Sequence, residues 1–242
     1  MNDNKTLIID FHSHILPNID DGSDCVETSL EMLKISHLQG VDILVSATHY
    51  YNFTEDIKSF AKRRDEAFHT LKEHIEEDDT DTPKIILAAE VRLFPGLHLD
   101  EDIDKLCIEG TKNILIEMPF SDWSDWMYNE IYLLTTAGYT PIIVHPERFL
   151  GGIREKEIFD KLLIMDVCVQ CNADSFGQRR ERKFIKKLIN KNKLTVIGSD
   201  SHNLDTRVSH MENACIYLKH KYGSEYLDTL MDNAANLLNI KN

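Results

Sequence analysis

Five histidines and four carboxylates stand in this chain where ligands to a metal centre would be expected. His12 and His14 lie in Asp10-Phe11-His12-Ser13-His14, directly after the apolar run Leu7-Ile8-Ile9. Residues two apart on an extended chain share a face. The pair therefore reads as half a metal site at the end of a buried strand. An isolated pair of this kind is more often two surface histidines, so the rest of the sequence decides. Asp20 and Asp21 follow in the same loop, and His49 closes Ala47-Thr48-His49. Glu90 follows Ala88-Ala89, Glu117 follows Ile116, and His145 opens His145-Pro146-Glu147-Arg148. A sixth apolar run ends Cys171-Asn172, and a seventh ends Gly198-Ser199-Asp200-Ser201-His202.

A lone glutamate after a strand is usually a helix N-terminal acid. Titratable groups at six of seven buried strand ends are different, because each is costly unless paired or ligated. Mixed imidazole and carboxylate ligands suit Zn²⁺, Mn²⁺ or Fe²⁺ and not Ca²⁺ or thiol-bound metals. His12, His14, Asp21, His49, Glu90, Glu117, His145, Asp200 and His202 make nine candidates. At about four protein ligands per ion, nine suit two or three ions with a bridging carboxylate. Three divalent ions among four carboxylates leave about +2, which attracts a phosphate dianion and acidifies bound water.

Such residues need a scaffold that gathers strand ends. Seven apolar runs are legible, at 7–11, 41–47, 85–89, 114–116, 141–144, 167–171 and 194–197. Helical stretches fall between them, at 25–39, 55–77, 123–137, 154–166 and 178–191, with a weaker one at 97–110. Two more close the chain at 207–221 and 223–239. Alternation at the length of a βα unit predicts parallel strands with helices outside. Seven such units in one domain, residues 1–242, predict an α/β fold, a distorted (β/α)7 barrel of TIM-like type; an open doubly wound sheet is the alternative. In a barrel the chemistry sits at the carboxyl ends of the strands. The acidic run 76–81 reads as a solvated loop.

The net charge of −14 excludes a nucleic-acid backbone as partner, since phosphate chains need a basic surface. No apolar run is long enough to span a membrane, and the N-terminus lacks a signal-peptide pattern. A cytoplasmic protein without membrane insertion is expected; the sequence leaves its oligomeric state open. Cys25, Cys107, Cys168, Cys171 and Cys215 are odd in number and scattered, against a disulfide framework. Cys168 and Cys171 would face opposite sides of a strand, so they read as core. His37, His69, His74, His98, His210 and His220 read as surface residues. Trp123, Trp126 and Tyr128 suit either an aromatic rim for a phenyl ring or packing of the following helix. Gly151-Gly152 reads as a turn near Arg148.

His12-Ser13-His14, Asp20-Asp21-Gly22, Glu90-Val91-Arg92, His145-Pro146-Glu147-Arg148 and Ser199-Asp200-Ser201-His202-Asn203 resemble the motifs of the PHP (polymerase and histidinol phosphatase) superfamily. Within it the chain is most similar to the bacterial metal-dependent protein-tyrosine phosphatases of capsule and exopolysaccharide loci. Asp205-Thr206-Arg207 and Lys221-Tyr222-Gly223 also resemble that subgroup. The resemblance spans essentially the whole chain. It implies one ion on His12, His14, Glu90 and Asp200, and a second sharing Glu90 with Glu117 and His145. A third would rest on Asp21, His49 and His202. Mn²⁺ is the expected metal, with Fe²⁺ or Zn²⁺ as alternatives. Arg148 and Arg207 match phosphate-binding arginines, a role that suits the guanidinium fork; Asp200 is a candidate acid for the leaving group. The implied reaction is phosphotyrosine hydrolysis, with a bacterial tyrosine kinase as substrate. A small-molecule phosphomonoesterase, such as a histidinol-phosphate phosphatase, is the alternative, and a regulatory module without turnover a third. Two departures stand out: Tyr50 where many relatives carry a second histidine, and the unaligned segment after Met118-Pro119-Phe120 that holds Asp122. Cysteine-dependent tyrosine phosphatases carry an arginine six positions after the cysteine. Here those positions hold Glu31, Asn113, Asp174, Gly177 and Lys221, so thiol-phosphate chemistry is out.

Overall fold

The computed structural model describes residues 6–78, 81–119, 123–150 and 155–240. Seven parallel strands form one sheet in strict sequence order: β1 (Ile9–Ser13), β2 (Ile43–Tyr50), β3 (Lys84–Arg92), β4 (Asn113–Glu117), β5 (Thr140–Val144), β6 (Cys168–Asn172) and β7 (Val196–Gly198). Around them run α1 (Val26–Leu38), α2 (Ile57–Asp78), α3 (Asp125–Thr136), α4 (Glu155–Ile164), α5 (Arg179–Ile189), α6 (Met211–Tyr222) and α7 (Ser224–Leu237). The strands are almost wholly buried on both faces, as helix-covered parallel strands must be.

Strict sequence order curls the sheet toward closure and removes the open-sheet alternative. The seam lies between β7 and β1. Because β7 has only 3 residues, the chain beyond it completes the seam. Asp200 donates its N–H to the His12 carbonyl at 2.7 Å, and His14 donates to the Ser201 carbonyl at 2.9 Å. Ser13 and Ser201 form an isolated parallel bridge. Gly198 permits the approach: a Cβ there would lie 2.6 Å from His12 Cβ and 2.7 Å from His12 N.

Three boundaries differ from the sequence reading. The 97–110 helix is instead two short 3₁₀ turns, Leu97–Leu99 and Ile103–Leu106. Asp100 caps locally, accepting the Asp102 N–H at 2.9 Å, and such side chain–backbone bonds compete with a regular helix. The helix expected from 207 begins at Met211. Asn203 Oδ1 accepts the N–H groups of Asp205, Thr206 and Arg207, which folds that stretch into a loop. Finally, β2 and β3 run past their apolar cores, so His49 and Glu90 stand within strands and pair in register.

Candidate metal centre

The structure gathers all nine candidates at the carboxyl end of the barrel. His12 and His14 share a face as their spacing predicts, with their Nε2 atoms 3.0 Å apart. Glu90 Oε2 lies 3.3 Å from His12 Nε2 and 3.2 Å from His14 Nε2. Asp200 Oδ1 lies 3.7 and 3.6 Å from the same two atoms. Ligands about 2.0–2.1 Å from a tetrahedral ion stand about 3.3 Å from one another. His12, His14 and Asp200 therefore offer donor atoms at the spacing of one coordination sphere, and Glu90 stands at the same spacing from the two imidazoles.

The other oxygen of Glu90, Oε1, lies 2.7 Å from His145 Nε2. Glu117 joins His49 and Glu90 in a group whose donor atoms lie within 4.8 Å of one another. His49 faces two ways. Its Nδ1 is 3.0 Å from Glu90 Oε2 and its Nε2 3.3 Å from Asp21 Oδ1. His202 Nε2 meets the same Asp21 oxygen at 3.3 Å. Glu90 is fully buried at the hub, each oxygen turned to a different set, as a bridging carboxylate would be.

The imidazoles are oriented from behind. His14 Nδ1 donates to Asp20 Oδ2 at 2.8 Å, His12 Nδ1 to Gln170 Oε1 at 3.3 Å, and His202 Nδ1 to the Asp200 carbonyl at 2.9 Å. In each ring this leaves the Nε2 lone pair aimed into the cluster, the arrangement metal-ligating histidines use. Glu90 Oε2, His49 Nδ1 and His202 Nε2 are buried there without a hydrogen bond. Buried groups of this kind need a partner, and a divalent cation supplies one to all three. The residues present fit the metal that the sequence implies.

Burial and neighbouring charge compete throughout the cluster. Burial works against a charged His14, yet Asp20 and Glu90 push its imidazole up to about 10. Burial likewise opposes an ionised Asp200, but His12 and His145 hold its carboxyl well below the usual range. Burial, helped by the charge of Glu90, raises Glu117. Burial lowers His12 and His202, the latter to about 4, which keeps both imidazoles in the neutral form that ligates a metal, while His14 must give up its proton to do so.

His145 and Asp200 both adopt left-handed backbone, with φ of 34° and 53°. Outside glycine this is sparsely populated and costs about 1–3 kcal/mol. It swings each side chain off its strand end into the barrel mouth. The neighbouring backbone holds the turns, through His145 N–H to the Gln170 carbonyl at 2.9 Å and Asp200 N–H to the His12 carbonyl.

Arg148 and Arg207 flank the cluster. Arg148 Nη1 donates to Asp200 Oδ2 at 3.2 Å, and Arg207 Nη2 to Asp200 Oδ1 at 3.1 Å. Both guanidinium groups reach solvent at the mouth, where they line a cavity of about 270 Å³ together with Asn172 and Ser199.

Several residues take supporting roles that the sequence reading did not assign. Asp20 orients His14 and also accepts the His49 N–H at 3.0 Å; its position beside Asp21 was the available signal. Gln170 and Asn172 extend the support, Gln170 donating to Asn172 Oδ1 and Asn172 to Asp200 Oδ2 at 2.8 Å. Asp10 accepts the Ser199 N–H at 2.7 Å, and burial lifts its carboxyl to about 6. Polar residues inside strands carry no such signal. Trp123 is buried against Tyr128 and Phe149, which favours packing over a rim at that position. The aromatic ladder beside the site comes from the β2 loop, where Tyr51 stacks on His49 and Phe53 on Tyr51. Phe120, Asp122 and Gly151-Gly152 lie outside the described residues. His98 is not a free surface residue, since it pairs with Glu130 at 2.6 Å; His210 is half-buried. Cys171 is buried and Cys168 half-buried in β6, as core residues.

Comparison with known proteins gives the same direction. The family model described as capsular polysaccharide synthesis, CpsB/CapC, matches residues 8–239. The chain is 30% identical over 239 residues to the tyrosine-protein phosphatase YwqE of Bacillus subtilis, covering 96% of this chain and 91% of YwqE. It is 27% identical over 253 residues to the tyrosine-protein phosphatase CpsB of Streptococcus agalactiae, covering 96% and 98%. A chain from the crystal structures of YwqE from Bacillus subtilis and CpsB from Streptococcus pneumoniae, described as unique metal-dependent tyrosine phosphatases, superposes with a TM-score of 0.84. That match has 28% identity and covers 97% of this chain and 96% of the other.

Proposed function

This chain belongs to the CpsB/CapC family of capsular polysaccharide synthesis, and from that membership and its site we infer that it is a metal-dependent protein-tyrosine phosphatase. The observation that carries the metal dependence is the convergence of His12, His14 and His49 nitrogens on one buried, unbonded oxygen of Glu90. We propose that residues 1–242 form one phosphatase domain holding two or three divalent ions, with Mn²⁺ the expected metal. His12, His14, Glu90 and Asp200 would hold one, Glu90, Glu117 and His145 a second, and Asp21, His49 and His202 a third. A cytoplasmic location is proposed, and no described helix is long and apolar enough to cross a membrane. The proposed substrate is a phosphotyrosine protein, with a tyrosine kinase of capsule or exopolysaccharide synthesis as the specific partner.

Bound ions supply Lewis-acid charge and a water acidified toward neutrality. The chain supplies the rest. Asp20, Gln170 and the Asp200 carbonyl fix the imidazole tautomers. Arg148 and Arg207, at the mouth on either oxygen of Asp200, are placed to take the equatorial phosphate oxygens as charge spreads over them. Asp200 serves as their common anchor, and acting as a proton donor would require it to release them. A phenolate leaves with little protonation, so the reaction does not depend on a dedicated acid.

The test is a substrate panel with Mn²⁺ present. Turnover is expected on phosphotyrosine peptides well above that on histidinol phosphate. A chelator should abolish it, Mn²⁺ should restore it, and thiol alkylation should leave it intact. Burial pushes the Cys107 thiol up to about 12 and Cys215 to about 11, and neither touches the site. Preference for histidinol phosphate, or loss of activity on alkylation that phosphate prevents, would overturn the reading.

A further inference from the structure

A second cavity adjoins the one beside Arg148 and Arg207. It holds about 550 Å³ between α5 and α6, and the two share Asp174, Gln178 and His210 in their walls. Together they make a continuous groove that starts at the metal centre and runs outward. Its far wall is aromatic, with Phe176 and Tyr217 5.6 Å apart. Arg182 is fixed there, donating to the Phe176 carbonyl at 3.2 Å with its guanidinium 5.9 Å from the Tyr217 ring centroid.

The helix forming that wall has an unusual charge. In a chain of net charge −14, α5 carries Arg179, Arg180, Arg182, Lys183, Lys186 and Lys187 against the single acid Glu181. Arg179, Arg182 and Lys186 are spaced i, i+3, i+7, one stripe of the helix, and Arg182 places that stripe at the groove. Arg179, Lys183 and Lys186 are exposed. In the inner cavity Asp174, Glu181 and Asp200 offset Arg148 and Arg207, whereas the exposed α5 stripe beyond it is basic.

We propose that this groove binds the polypeptide flanking the phosphotyrosine, and that the α5 stripe selects substrates with acidic or further phosphorylated residues several positions from it. Three features of the groove choose that occupant. The groove is continuous with the phosphate-binding mouth, its walls carry the aromatic groups that peptide-docking grooves use, and its outer edge is the basic surface of an acidic protein. A small phosphate ester would fill only the inner cavity. The proposal rests on the phosphatase reading above and adds what distinguishes one phosphoprotein from another.

The test compares an acidic phosphotyrosine peptide, a neutral one and p-nitrophenyl phosphate, all with the Mn²⁺-loaded full chain. In R179E/K183E/K186E, kcat/KM on the acidic peptide should fall about tenfold or more and lose most of its salt dependence, because exposed charges act chiefly through steering and complementarity. Turnover of p-nitrophenyl phosphate and inhibition by inorganic phosphate should stay at wild-type levels. In Asn213→Trp, which fills the groove from an exposed position, both peptides should lose rate while p-nitrophenyl phosphate does not. Unchanged discrimination between the peptides in the charge variant would overturn the proposal. So would unchanged peptide kinetics with lost binding to phosphatidylserine vesicles, which would give the basic stripe to a membrane. A wild-type protein inactive on all three substrates would instead overturn the phosphatase reading itself.

Discussion

Asp200 gathers more partners than any other acid in the cluster. Arg148, Arg207 and Asn172 all donate to its carboxylate, while its Oδ1 faces His12 and His14. Removing either arginine takes away a charge-assisted phosphate contact and leaves the metal ligands in place. Arg148→Ala and Arg207→Ala are each expected to lower kcat/KM on an aryl phosphate by about ten- to a hundredfold, with Lys restoring only part. Steady-state kinetics beside metal counts and thermal melts check this. Wild-type kcat/KM with a lower Tm would make the arginines structural. Asp20 stands behind His14, accepting from its Nδ1, and acts through that imidazole. Asp20→Asn keeps the size of the side chain but loses the charge that fixes the imidazole. Loss of such support costs about 10- to 100-fold in metal affinity. The expected signature is activity restored by raised Mn²⁺; a variant equally impaired at saturating Mn²⁺ would refute the positioning role. All nine ligand candidates were legible because each lies at or soon after an apolar run that marks a buried strand. The supporting roles of Asp20, Gln170 and Asn172 were not, since a polar residue one layer back looks like any loop acid or strand amide.

At the level of elements, the strands announced themselves through apolar runs, but their ends did not. Hydrophobic pattern marks where a strand is buried, whereas His49 and Glu90 prolong their strands through register with each other. The left-handed turns at His145 and Asp200 had no sequence mark either, because no glycine stands there. Gly198 is the glycine on which the seam depends. A Cβ would press on the His12 backbone nitrogen, which cannot move without displacing β1. Gly198→Ala is therefore expected to cost about 1–3 kcal/mol, as overpacking does, and to lower metal content as well. Calorimetry and metal analysis on the same sample read both. A variant with wild-type Tm would show that the seam relaxes more easily than its close contacts imply.

For the whole molecule, the fold class followed from alternating strands and helices, and closure followed from strict strand order. The cluster joins strands across the seam, so an ion held by His12, His14 and Asp200 would clasp β1 to the chain after β7. Binding to the folded state alone stabilises by about 2.7 kcal/mol at a hundred times Kd. For a domain of this size that corresponds to about 5–10 °C in Tm. Mn²⁺ should raise the melting temperature of the chelated protein by that order, and by much less in His12→Ala. An equal rise in both would place the stabilising ion elsewhere.

The seam also makes the site a record of completeness. Ser199 is bonded to Asp10 across 189 positions of sequence, and the candidate ligands extend from His12 to His202. A chain that stops before residue 200 can still contain seven strands and most of the core. It lacks Asp200, His202 and Arg207, and with them one side of every ion pair that spans the seam. No fragment that omits β1 or the chain after β7 can assemble the full ligand set, so the chemistry becomes available only once the two edges of the sheet have met.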